Sequence, residues 1–235
     1  MYILISVVII CVIVGLTQVT FFKTLLLIAK ATPSYEQEGD GSASLLILGD
    51  STGYGTGAMN SKGSIAGLIG TDYPALTITN SSVNGRTIGG LRKDIEKLEV
   101  EYDVILLQIG ANDILQKRTV EETMVDLRVV LDTLQPKTKK IVMISSGNVG
   151  GAVRFKGEQA DKYQQQSIIF KEAFLALNNE RSGFTYVDLY VAPENDPFVL
   201  EPHIYTAFDG LHPSNVGYLE WYKKLKPVLK TNLEN

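Results

Sequence analysis

Leu45-Leu46-Ile47-Leu48-Gly49-Asp50-Ser51-Thr52-Gly53 is the stretch on which the fold turns. Four apolar residues closed by a glycine have the length of a buried strand, and the small polar residues after them cannot extend it. Ser51 therefore stands where a strand ends. A sharp strand-to-helix turn at such a point lifts a hydroxyl clear of the sheet edge and leaves backbone N–H groups free beside it. An isolated Gly-Asp-Ser is more often a plain turn. Its partners further along the chain give the motif its weight.

Working outward, Ser64–Gly70 is expected as a short helix and Leu76–Thr79 as a second strand, leading into Asn80-Ser81-Ser82-Val83-Asn84-Gly85. Leu91, Ile95 and Leu98 recur at helical spacing. Val104–Ile109 is expected as a third buried strand. Thr119-Val120-Glu121-Glu122 has the form of a capping box, and Met124, Leu127, Leu131 and Leu134 supply the stripe of the helix it starts. Lys140–Ile144 and Thr185–Leu189 are the fourth and fifth strands. Phe170, Phe174 and Leu177 mark the helix between them, and Tyr218, Tyr222, Leu225 and Leu229 a closing helix. Short apolar strands alternating with amphipathic helices imply a parallel sheet covered on both faces. Ligands of such sheets bind beyond the carboxyl ends of the strands, where Ser51, Gly85 and Gly110 all fall.

The chain has 235 residues, 45% of them apolar and 20% charged, which suits one folded domain with a core of its own. Its net charge is −4, and the remainder is more acidic still once Lys23 and Lys30 are set apart. That balance repels phosphate backbones and argues against nucleic acid as a partner. The single cysteine, Cys11, excludes an internal disulfide. Tyr2 to Val19 is almost unbroken Ile, Val and Leu, and apolar residues resume from Phe21 to Ala29 around Lys23. Residues 1–31 are thus expected as a single N-terminal membrane anchor, 32–44 as a polar linker read as a tether, and 45–235 as the folded domain. Lys23 and Lys30 favour a cytoplasmic domain by the positive-inside tendency, while Ala29-Lys30-Ala31 has a form that a signal peptidase accepts and would leave a secreted protein. The side of the membrane and the oligomeric state are left open.

Of two histidines, His212 lies in Asp209-Gly210-Leu211-His212-Pro213, where a carboxylate three residues earlier can turn back onto one ring nitrogen and leave the other for Ser51. His203 follows Pro202 with no acid at that spacing. A tetrahedral intermediate also needs hydrogen-bond donors, and the candidates are the Ser51 N–H, Gly85 and the Asn112 amide. Asp50 and Asp113 sit beside these residues and are expected to brace the loops. Gly53-x-Gly55-x-Gly57 lacks the dinucleotide spacing, no phosphate loop is present, and no clustered metal-ligand set is found. No cofactor and no metal are expected.

Taken together, Gly49-Asp50-Ser51, Asn84-Gly85, Gly110-Ala111-Asn112-Asp113 and Asp209-Gly210-Leu211-His212-Pro213 resemble the four blocks of the SGNH, or GDSL-type, hydrolases over about residues 45 to 230. The first block reads Gly-Asp-Ser-Thr in place of Gly-Asp-Ser-Leu. The resemblance implies a three-layer α/β/α sandwich around a five-stranded parallel sheet, the flavodoxin-like fold of that family. It also implies an esterase with Ser51 as nucleophile, Asp209 and His212 as its partners, and Gly85 and Asn112 as oxyanion donors beside the Ser51 amide. Gly49-Asp50-Ser51-Thr52-Gly53 also satisfies the nucleophile-elbow pattern of α/β-hydrolases, but that fold usually places strands before the elbow and separates acid from base. The expected substrate is a carboxylic ester: a short acyl or acetyl ester, a lysophospholipid or other lipid, an acetylated glycan or a thioester. An acyltransferase and a catalytically idle adaptor are the alternatives. Within Tyr190–Phe208, expected to be irregular, some of Phe198, Leu200, Tyr205 and Phe208 are expected to line the acyl site, Phe198, Tyr205 and Phe208 being the named candidates, with Gly147–Lys156 as a second wall.

Overall fold

The structure, a computed structural model, describes residues 34–233 apart from 139, together with residues 19, 22 and 23. Five strands form one parallel sheet: β1 (Ser44–Gly49), β2 (Thr77–Asn80), β3 (Val104–Gln108), β4 (Ile141–Ile144) and β5 (Phe184–Val187). The strand order is β2-β1-β3-β4-β5. Side chains alternate across the pleat, so Leu46 and Leu48 share one face with Ile105 and Leu107, while Leu45 and Ile47 share the other with Val104 and Leu106. The central strands β1, β3 and β4 are buried on both faces and are therefore nearly continuous apolar runs, whereas the edge strands β2 (Thr-Ile-Thr-Asn) and β5 (Phe-Thr-Tyr-Val) carry polar residues at part-buried positions.

Alongside short 3-10 turns, nine α-helical segments flank the sheet among the described residues: α1 (Ser51–Tyr54), α2 (Ile65–Asp72), α3 (Arg92–Ile95), α4 (Ala111–Leu115), α5 (Val120–Leu134), α6 (Glu158–Glu180), α7 (Pro197–Leu200), α8 (Pro202–Tyr205) and α9 (Asn215–Leu233). Leu127, Leu131 and Leu134 of α5 and Phe170, Phe174 and Leu177 of α6 cover one face. Ile65 and Ile69 of α2 and Tyr218, Tyr222, Leu225 and Leu229 of α9 cover the other. The expected capping box is present, with the Thr119 side chain accepting from the Glu122 N–H and the Glu122 carboxylate accepting from the Thr119 N–H. The three-layer α/β/α sandwich is therefore the fold of this domain. Strand boundaries differ from expectation by one or two residues, and α4, α7 and α8 were not anticipated. The last two begin at Pro197 and Pro202, each preceded by an acid, and Asp196 caps α7 by accepting from the Phe198 N–H.

β1 lies between β2 and β3, so the chain leaves it toward one side and returns past it to the other. Its carboxyl end is the point where the winding of the sheet reverses and where a crevice must open.

The stretch read as a free tether is largely docked. Gln37 exchanges two backbone hydrogen bonds with Ile78, at 3.1 and 2.8 Å, and its side-chain amide donates to the Leu76 carbonyl at 2.7 Å. The Asp40 N–H reaches the Ala75 carbonyl, and Tyr35 packs against the core. β2 is an edge strand whose outer N–H and C=O groups need partners, and residues 34–40 supply them. Only residues 32 and 33 of the expected linker lie outside the described residues. The expected anchor at residues 1–31 also lies outside them, apart from Val19, Phe22 and Lys23. Among the described residues no helix is long and apolar enough to cross a membrane.

Leu106, fully buried on the central strand β3, has its neighbours fixed by two sheet partners. Leu106→Ala is expected to lower the unfolding free energy by about 2–5 kcal/mol, measured by denaturant titration, with helical content retained in the folded variant.

Candidate active site

The end of β1 is shaped by two glycines. A Cβ on Gly49 would stand 2.5 Å from the Gln108 carbonyl oxygen, and one on Gly53 would stand 2.5 Å from Ser82 Oγ. A larger residue at Gly49 would push the end of β1 away from the β3 backbone, and one at Gly53 would displace the Ser82 side chain. Asp50, fully buried, caps this turn, its Oδ1 accepting from both the Thr52 N–H and the Thr52 hydroxyl at 2.8 Å. Gly55, at φ +93°, ends it. Ser51 is thus the first residue of a helical turn, and its N–H has no partner within that turn.

Its hydroxyl is hydrogen-bonded to His212 Nε2 at 2.9 Å. On the other side of the ring, Nδ1 lies 2.7 Å from Asp209 Oδ2. Asp209 and His212 are both buried, and one tight turn joins them. Asp209 Oδ1 accepts the backbone N–H groups of Leu211 and His212, each at 3.1 Å, while Gly210 bends the chain at φ +71°. The turn is closed by the Ala207 N–H donating to the His212 carbonyl at 2.8 Å. Burial pushes the Asp209 carboxyl up, but its hydrogen bond and charge contact with His212 outweigh this and hold it below the usual carboxylate range. Asp209 therefore stays ionised at neutral pH. His203 is exposed on α8 and belongs to another part of the surface.

Gly85 and Asn112 face the same space as Ser51. Gly85 has φ +80° and no atom within 4 Å of where a side chain would begin, so its backbone is open to a ligand. Asn112 lies in the first turn of α4, its amide donating to the Arg86 carbonyl at 3.1 Å. Two further bonds tie α4 to the same loop. Asp113 Oδ2 accepts from the Ile88 N–H at 3.0 Å, and Gln116 Nε2 donates to the Gly85 carbonyl at 3.3 Å. Behind Asp113 stand Arg118, 3.4 Å away, then Asp126 and Arg92 in a continuous chain of ion pairs. Asp50 and Asp113 thus each brace a loop through backbone N–H groups.

A cavity of ≈ 250 Å³ opens beside Ser51 and His212. Its apolar walls include Leu115, Val149, Leu189, Val191, Phe198 and Trp221, and Gly147, Asn148 and Ala152 supply the second wall expected after β4. Of the three aromatic residues expected to line it, only Phe198 does. Tyr205 packs behind Phe198, ring centroids 5.7 Å apart, and Phe208 is 53% exposed on the outer surface. The cause is the folding of residues 197–205 into two one-turn helices, which alters the facing of each side chain from that of an irregular strand. Leu115, Leu189 and Trp221 went unrecognised as walls. Each lies in or just beyond a segment leaving the carboxyl edge or on the helix packed over it, a weak signal without the fold. Among the described residues no group of three or more His, Cys, Asp or Glu is arranged to hold a metal ion.

The sandwich has counterparts among known structures. A member of the lipolytic G-D-S-L family from Veillonella parvula superposes with a TM-score of 0.63 at 18% identity, covering 79% of this chain and 97% of that one. A catalytic mutant of an acetylxylan esterase from Geobacillus stearothermophilus superposes with a TM-score of 0.63 at 21% identity, covering 81% of this chain and 95% of that one. At these identities the likeness speaks for the fold alone. No curated protein matches the chain in sequence. The family model of the GDSL-like Lipase/Acylhydrolase family matches residues 47–219, a span holding all four motif blocks, and the chain belongs to that family.

Proposed function

We propose that this ester hydrolase works through an acyl-enzyme on Ser51, with His212 as general base and acid and Asp209 holding the imidazole. The observation that carries the reading is the unbroken line of contacts from Ser51 Oγ to His212 Nε2 at 2.9 Å and from His212 Nδ1 to Asp209 Oδ2 at 2.7 Å. In the first half-reaction Ser51 Oγ bonds to the ester carbonyl carbon and its proton passes to His212 Nε2. The carbonyl oxygen becomes an oxyanion, met by the N–H groups of Ser51 and Gly85 and the side-chain amide of Asn112. Collapse breaks the bond to the leaving alcohol, which takes the proton from His212. Water then repeats the sequence, releasing the acid and restoring the serine. The anionic Asp209 fixes the tautomer and stabilises the imidazolium in both halves.

The acyl group belongs in the apolar cavity, whose walls suit hydrocarbon better than sugar. Hydrolysis of carboxylic esters is favoured over a non-catalytic role because the hydroxyl, imidazole and carboxylate are in register with no side chain between them.

Ser51→Ala and His212→Ala are each expected to lower kcat for p-nitrophenyl ester hydrolysis by about a thousandfold or more, with the folded spectrum retained, and an organophosphonate probe is expected to label Ser51. His203→Ala should leave the rate within a factor of about two, since it changes only exposed surface. An equal loss from His203→Ala, or no labelling of folded protein, would sink the assignment. Asn112→Ala is expected to cost about 10²–10³ in kcat with KM little changed, because the amide meets charge that exists only in the transition state.

A pH test reaches the brace. Burial, only partly offset by the Ile88 N–H and the Arg118 charge, raises the Asp113 pKa from 3.8 to about 6. Between these values the native state keeps a proton that the unfolded chain has lost, so the contribution of Asp113 to stability falls as pH rises through the window. Asp113→Asn removes this dependence. Calorimetry should show the Tm of the variant gaining on that of the parent as pH rises from 3.8 to about 6.

A further inference from the structure

Residues 34–40 run antiparallel to β2, which sets where the chain enters the domain. Asp40 lies level with Ala75, Gln37 with Ile78, and Ser34 with Asn80 at the carboxyl end of the strand. This is the edge that carries Ser51, Gly85 and Asn112. Asn80 links the two directly, its carbonyl accepting from Ser34 Oγ at 3.5 Å and its amide donating to the Gly53 carbonyl at 3.0 Å. Only Thr32 and Pro33 separate Ser34 from Ala31, the last residue of the apolar N-terminal segment. An extended chain covers at most about 3.6 Å per residue, so the span from Ala31 to Ser34 is no more than about 11 Å. A tether of the expected length would place no such bound on how far the apolar segment lies from this edge; a span of two intervening residues keeps Ala31 near it.

The same edge exposes apolar side chains. Met59 is 88% exposed, Phe208 53%, Val83 49% and Val153 39%. Each sits on a loop that builds the site. Met59 follows Gly57, whose Cα is packed against His212, and Val83 precedes Asn84. Val153 packs on Gly210, and Phe208 precedes Asp209. The opposite edge differs, since the loop entering β3 presents Glu96, Lys97, Glu99 and Glu101 around one exposed apolar residue, Val100. Of the N-terminal segment, Val19 and Phe22 are helical and more than half exposed, uncovered by the domain.

We propose that the apolar N-terminal segment inserts in a lipid bilayer and holds the mouth of the active site against it, so that the ester taken is an amphiphile resident in that bilayer. The identity of the substrate rests on the esterase reading above, whereas the orientation rests on the point of chain entry alone. Met59, Val83, Val153 and Phe208 enter the headgroup region and shield the mouth from bulk water. The acyl chain then passes from the bilayer into the apolar cavity without crossing solvent.

The test uses the full chain with Cys11→Ser as background, reconstituted in phosphatidylcholine vesicles. A polarity-sensitive fluorophore is attached through Met59→Cys in one sample and Glu101→Cys in another, and lipids spin-labelled at the headgroup serve as quencher. Quenching is expected to be several-fold stronger at position 59. Equal quenching, stronger quenching at position 101, or a Met59 probe shielded instead by a second copy of the chain would overturn the orientation. Inserting a flexible Gly/Ser segment of about twenty residues between Pro33 and Ser34 is expected to remove the difference between probes while leaving p-nitrophenyl acetate hydrolysis unchanged. The double variant Met59→Ser, Val83→Ser is expected to lower hydrolysis of a monoacylglycerol dissolved in the vesicles several-fold relative to p-nitrophenyl acetate, and equal rates would overturn the substrate assignment. Loss of all ester hydrolysis with the quenching difference intact would remove the esterase reading and leave the orientation standing.

Discussion

The site depends on a close approach at the carboxyl end of β1. Gly49 and Gly53 have no side chains, and that absence lets the first turn of α1 rest on the Gln108 carbonyl and the Ser82 side chain. Ser51 is aimed by this seating. Its hydroxyl meets His212 across 161 positions of sequence, so a small shift of the turn would break the contact. The sheet order supplies the other half of the constraint. With β2 on one side and β3 on the other, β1 ends at the reversal of the winding, and the loops after β2 and β3 fall on either side of the serine.

Beneath the site lies a layer of buried carboxylates that a purely stabilising design would omit. Asp50 and Asp113 are fully buried, and burial raises the pKa of both. Burying an ionisable group costs free energy unless hydrogen bonds and opposite charge offset it. Thr52 supplies the bonds for Asp50, and the Ile88 N–H with Arg118 those for Asp113. What is gained is rigidity at two loops whose backbone groups face the cavity. Asp113, Asn112 and Gln116 fasten successive points of the loop from Gly85 to Ile88, so two candidate oxyanion donors move as one body.

The free edge of β2 joins stability to placement. An unpaired edge invites association with other chains, and residues 34–40 cover it. The direction of that covering segment decides which end of the sheet lies near the N-terminal segment. Had it run parallel to β2, chain entry would have been at the amino edge, remote from Ser51.

Much of this molecule was legible from its residues. Apolar runs identify β1, β3 and β4, because a strand buried on both faces has few polar positions to interrupt it, while the edge strands β2 and β5 are marked by β-branched and aromatic residues among threonines. Asp209 and His212 were paired from a three-residue spacing that one turn can close, and the capping box at Thr119 is a local hydrogen-bond pattern that sequence expresses directly. The polar composition of residues 32–44 points to a tether because composition says nothing about an edge strand elsewhere in the fold, and it is the edge of β2 that docks residues 34–40. Tyr205 and Phe208 were misassigned because which way a side chain faces depends on backbone turns that Pro197 and Pro202 start. Sequence alone thus determined the fold class and pointed to the residues that meet at the end of β1, since both are written in local patterns of burial and spacing. Tertiary structure alone decided the cavity walls, the raised pKa of Asp113 and the edge at which the chain enters, because each arises where segments distant in sequence exclude water from one another.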